Sequence, residues 1–170
     1  PTVVSFLVPP GDPPLNEVGD GLVPADVDGA TPPPSGSGAI FVGTVDDGGG
    51  YSGDLVTLWR FHADFADPGA SSFAWVAALA PKDPEADVDT LFLCTSCVPQ
   101  PGTPTLLDVG SYRQRPMHRV AYRNFGDHES LVGNQTVEGA PDMAGIRWWE
   151  IRDLDAVPPA TPTLYQDGTY

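Results

Sequence analysis

The stretch from His118 to Tyr170 limits most sharply what this chain can fold into. It holds four strand-like runs, HRVAYRNFG, SLVGNQTV, GIRWWEIR and TLYQDGTY, separated by the turn-like segments DHE, EGAPDMA and DLDAVPPATP. Each run is built from β-branched and aromatic residues, and Gly, Pro, Asp or Asn stand between them. Runs this short, punctuated this often, read as a four-stranded antiparallel meander.

The first half can be read the same way, with longer interruptions. Thr2–Val8 reads as a strand ended by Pro9 and Pro10, and residues 11–38 as a long Pro-rich loop with no period of either kind. Ala39–Asp46, Leu55–Asp64 and Ser72–Ala80 follow as strands, a short helix competing for the Ala-rich end of the last. In Leu55–Asp64, alternation puts Val56, Leu58, Arg60 and His62 on one face and Leu55, Thr57, Trp59 and Phe61 on the other. A Pro-rich connector, 81–117, then leads to the second meander. LWRFHADF over Leu58–Phe65 lies against WWEIRDLD over Trp148–Asp155, a weak internal repeat. These observations predict one all-β unit over 1–170 made of two four-strand units, 2–80 and 118–170. Repeated four-strand meanders point to two blades of a β-propeller, with a β-sandwich as the alternative.

Composition decides against other classes. Twenty prolines and nineteen glycines approach the range of disordered chains, but four Trp, seven Phe and five Tyr supply a core, so the Pro and Gly are assigned to ordered loops. Asp and Glu number 23 against 8 Lys and Arg, a formal net charge of −15, which repels phosphate and argues against nucleic-acid binding. Six of the eight basic residues lie between Arg113 and Arg152, so the second half carries its own counter-charges. No apolar run is long enough for a membrane-spanning helix. The chain begins and ends within strand-like sequence, which suggests a piece of something longer.

The runs RPMHRVAYRNFGDHESLVGNQTV, AGIRWWEIR and PTLYQDGTY resemble a recurrent segment of large exported bacterial proteins of unassigned function, with a predicted β-propeller-like repeat. Pro24–Gly29 (PADVDG), Leu58–His62 (LWRFH) and Cys97–Thr103 (CVPQPGT) precede them here in the order of that family. The resemblance implies a propeller-type fold and a secreted, periplasmic or cell-surface location. It implies no reaction.

The candidate sites are few. Cys94 and Cys97 lack the second pair of a zinc site and the helix of a redox motif, so a disulfide stapling a loop is the expected state. Asp26 and Asp28 before Gly29, and Asp46 and Asp47 before three glycines, are calcium candidates, although solvated turn carboxylates have the same look. Asp127, His128 and Glu129, with Tyr122 and two arginines nearby, are the one cluster with the ingredients of acid–base chemistry. The plainer reading is a hairpin turn whose charges pair with the arginines of the neighbouring strand. Neither a GxSxG elbow nor an HExxH helix is present. The functional expectation is therefore a binding or scaffolding module, its edge strands covered by further chain or by another subunit. An extracellular carbohydrate hydrolase and a structural subunit of an extracellular assembly are the alternatives.

Overall fold

The computed structural model describes residues 3–7, 18–19, 21–47, 51–81, 98–107, 115–140, 143–154 and 161–170. Ten strands account for most of them: β1 (Val23–Asp28), β2 (Ala39–Val45), β3 (Leu55–His62), β4 (Ser72–Leu79), β5 (Val98–Gln100), β6 (Thr103–Leu107), β7 (Val120–Asn124), β8 (Glu129–Ala140), β9 (Met143–Arg152) and β10 (Thr163–Thr169). Among these residues no helix is long and apolar enough to cross a membrane.

Eight strands form one mixed sheet in the order β10-β9-β8-β7-β1-β2-β3-β4, and β5–β6 is a separate hairpin. The all-β class and the two antiparallel meanders are as the sequence predicts. Their relation is not. The meanders neither stack as propeller blades nor face each other as two packed sheets. They join side by side through their first strands, β1 and β7, which run parallel from Ala25↔Val120 to Asp28↔Arg123.

The first strand of the first meander is also not where the sequence puts it. Val3–Leu7 pairs with nothing in the sheet; Phe6 instead lies against Phe61 and Phe73, with ring centroids 6.0 and 6.3 Å apart. The strand is Val23–Asp28, inside the stretch read as loop. Its proline does no harm there, because pairing with β7 starts only at Ala25, so no hydrogen bond from position 24 is needed on that side.

Register decides what each face buries, since paired residues share a face and neighbours along a strand alternate. Val23↔Val42, Val42↔Leu58, Val27↔Tyr122, Tyr122↔Leu131, Leu131↔Ile151 and Ile151↔Leu164 run across the whole sheet on one side. Of these, Val42, Leu58, Tyr122, Leu131 and Ile151 make the core cluster with Val56, Val120, Trp149 and Leu154, Val23 and Leu164 pack against it, and Val27 stays half exposed. For strands so far apart to share one core the sheet must curl, and it does so into a half-barrel. The Arg60 guanidinium on β3 donates to the Leu154 carbonyl beyond β9 at 2.7 Å, closing the curl at one end.

Local chemistry places the turns. Between β3 and β4, Asp64 accepts from the backbone N–H groups of Ala66 and Asp67 at 2.8 Å, and Asp67 accepts from Gly69. These donors hold the Asp64 carboxyl below the usual aspartate range. Within β8, Gly133 is required by its neighbour: a Cβ there would stand 2.3 Å from the Trp149 ring, which lies flat on the strand.

Candidate functional site

The end of the half-barrel where Arg60 meets Leu154 carries the candidate site. The β7–β8 hairpin begins it. Gly126, at φ 95°, makes the left-handed turn, its N–H donating to Asn124 Oδ1 at 2.8 Å, and Phe125 N–H donates to the His128 carbonyl at 2.9 Å. His128 stacks on Phe125 with centroids 4.7 Å apart, and its Nδ1 lies 2.8 Å from Asp127 Oδ1. That hydrogen bond, ahead of the backbone donors, keeps the exposed Asp127 carboxyl below its ordinary value.

The next residue does something different. Glu129 opens β8 on the same face as Leu131, so its side chain turns into the half-barrel, where it is 7% exposed and accepts a hydrogen bond from the Tyr122 hydroxyl. Glu129 therefore points away from the solvent-facing turn expected of it, and a tyrosine donates to it.

Above this pair is a cavity of about 140 Å³. Ala25, Val27, Ala39, Ile40 and Leu154 form apolar walls, and Arg60, Tyr122 and Glu129 supply the polar groups. A second hollow of about 290 Å³ shares Glu129 and Leu154 with the first and is lined further by Asn124, Asp127, His128 and Asp153. Asp153 is held at φ 58°, and its Oδ2 accepts from Thr163 Oγ1 at 2.6 Å. Thus Asp127, His128 and Glu129 are brought to one place, but in two environments, the first two at an open rim and the third on a buried floor.

Arg60 is the residue that sequence reasoning passed over. The signal was available: it alternates with Val56 and Leu58 on the face that proves to be the core, and a cation at such a position needs a reason.

The calcium candidates fall into two places. Asp26 and Asp28 project from β1 onto Arg119, whose guanidinium pairs with both carboxylates, at 3.4 Å for Asp26. There the positive charge comes from the protein itself. Asp46 and Asp47 meet Asp54, with one oxygen from each lying within 4.8 Å of the others; Asp46 is buried and Asp47 exposed. Asp47 N–H donates to Asp54 Oδ1 at 3.2 Å, so the cluster also caps the β2–β3 turn. Three carboxylates suit a hard cation, but the geometry is equally that of an acidic turn. Cys94 and Cys97 lie outside the described residues.

The chain was compared with family models, curated proteins and solved structures. None matches.

Proposed function

We propose that this chain is the small-ligand-binding module of an exported protein, and that its site is the cavity floored by Tyr122 and Glu129. One observation carries the reading: a buried carboxylate and a cation share an apolar-walled cavity that opens beside a polar rim. Binding sites have this composition, with mostly apolar walls for affinity and a few placed polar groups for orientation. A plain packing defect in a β-sheet core would be lined by apolar groups alone. The export half of the proposal rests on the resemblance of the β7–β10 region to exported proteins, and the acidic composition is compatible with it.

Benzene is the simplest probe of the apolar walls. Saturation-transfer NMR should show transfer from the protein to benzene in the native chain and its loss in Val27→Trp, which covers the cavity from a position already 52% exposed. No transfer, or equal transfer in both proteins, would remove the reading. Turnover of a chromogenic glycoside that disappears in Glu129→Gln would instead favour the hydrolase alternative, with Asp127 or Asp153 as the second carboxylate.

A further inference from the structure

We infer that the ligand of this cavity is a zwitterion of amino-acid size with a branched aliphatic body, and that Arg60 takes its carboxylate. The inference rests on the reading of the cavity as a binding site.

Arg60 is the first reason. Its Nη2 donates to the Leu154 carbonyl, but its Nε is buried without a hydrogen-bond partner. Among the described residues no carboxylate stands within ion-pair distance of it; Arg119, Arg147 and Arg152 hold at least one each, and Arg115 and Arg123, which hold none among these residues, are exposed where Arg60 is half-buried. In a chain with 23 acids for 8 bases, pairing a guanidinium is easy, so a half-buried one with no carboxylate beside it among the described residues needs an account. Arg60 lines the cavity, and a guanidinium is shaped for a carboxylate.

Glu129 is the second. It lines the same cavity, and Asp127 and Asp153 line the hollow that adjoins it. A simple anion would meet repulsion from these groups, and a simple cation would leave Arg60 unmatched. A molecule carrying both charges satisfies both ends, its ammonium directed to Glu129, whose carboxylate can accept several donors.

Size is the third. A cavity of about 140 Å³ is close to the ~150 Å³ that admits benzene, so the apolar body has about six heavy atoms or fewer. A leucine side chain fits this limit.

Three compounds that differ by one charged group test the inference on the unaltered chain by calorimetry: leucine, 3-methylbutylamine without the carboxylate, and 4-methylpentanoate without the amine. Leucine should bind, and each analogue should bind about tenfold more weakly or worse, as expected for losing a charge-assisted contact. Arg60→Gln should weaken leucine to the level of 3-methylbutylamine and leave that amine unchanged. If either analogue equals leucine, or if none of the three binds while benzene does, the zwitterion is wrong and the cavity reading stands. If benzene fails as well, the cavity reading goes with it.

Discussion

The two meanders are built from similar runs of strands, yet they bury opposite sides of them. In the first, Leu58 faces the core while Trp59 and Phe61 face outward, where Trp59 stacks on Phe73 with centroids 5.5 Å apart and Phe6 covers Phe61 and Phe73. In the second, the positions matching Trp59 and Phe61 in the repeat are Trp149 and Ile151, and both belong to the core. Val42 and Val132, also ninety positions apart, are 0% and 43% exposed. The reason is geometric. Two meanders joined through parallel first strands are related by a two-fold axis along the strands, and that rotation exchanges the faces of a sheet as it exchanges left and right.

The exchange decides how each meander is finished. The first leaves an aromatic outer face over which Phe6, Val18 and Leu22 lie. The second leaves a polar outer face, where Glu150 accepts from Arg152 and Gln166 at 2.6 Å and from Ser130 at 3.0 Å, and Arg152 lies over the Tyr165 ring at 3.5 Å. Its inner face carries Trp149 on Gly133 and, farther from the cavity, Arg147 paired with Asp167 and Thr169.

The largest test of this contrast is Asp167→Ala. Both side chains of the Arg147–Asp167 pair are nearly inaccessible, at 3% and 4% exposed, so removing the carboxylate leaves a buried cation and should cost about 3–5 kcal/mol in denaturant unfolding. Asp28→Ala, at a pair about 40% exposed on the seam between the meanders, should cost less than about 1 kcal/mol. Equal losses would mean that the inner face is wetter than the half-barrel implies.

Two glycines sharpen the comparison. Gly133→Ala has no room unless Trp149 leaves its place in the core, and should cost about 3 kcal/mol. At Gly43 an added Cβ would stand 2.7 Å from the Val18 carbonyl and 2.9 Å from Thr57 Oγ1 on the outer side, so Gly43→Ala must lift that covering segment and turn the Thr57 hydroxyl, and should cost about 1–2 kcal/mol. Burial of Trp149 followed by fluorescence, with each other tryptophan replaced by Phe, should change in the first variant and hold in the second.

The smallest effect concerns pH. Burial acts to raise the Glu150 carboxyl, but hydrogen bonds from Arg152, Gln166 and Ser130 outweigh it and leave the group below the ordinary glutamate value near 4.5. A carboxyl depressed in the folded state contributes stability above its unfolded value, and that contribution is lost as pH falls through the lower folded value. Glu150→Gln should therefore flatten the acid limb of the stability curve in that interval while the limb due to other carboxyls persists. An unchanged curve would show that the outer network contributes nothing to the second meander.

Parts of the site were legible before the fold. Alternation places Arg60 with Leu58, and Glu129 with Leu131, so both inward groups follow from period-two counting once the core face is known. The cavity does not follow, because Arg60 and Glu129 line one cavity only when β3 and β8, with three strands between them, are curled toward each other. Asp26 and Asp28 were ambiguous for the same reason: whether a carboxylate meets a cation from solvent or from Arg119 depends on which strand lies next to β1.

What the sequence alone determined about this protein is therefore local: the strand class, turns at Phe65–Ala70 and about Asp127–Glu129, the order within the second meander, and the pairing of β9 with β10. Each depends on side chains within a few residues of one another, on Gly, Pro, Asp and Asn chemistry and on alternating polarity. Only the tertiary structure decided that Val23–Asp28, with its proline and two aspartates, is a central strand and that Val3–Leu7 supplies no strand to the sheet. The choice turns on partners almost a hundred residues away. Val23 and Ala25 reach the core and Arg119 balances the aspartates once β7 lies alongside, whereas Phe6 finds an aromatic surface to cover. Neither local propensity nor a repeat could reveal that the two meanders would meet in parallel, and it is that one pairing which sets the faces, the curl and the cavity.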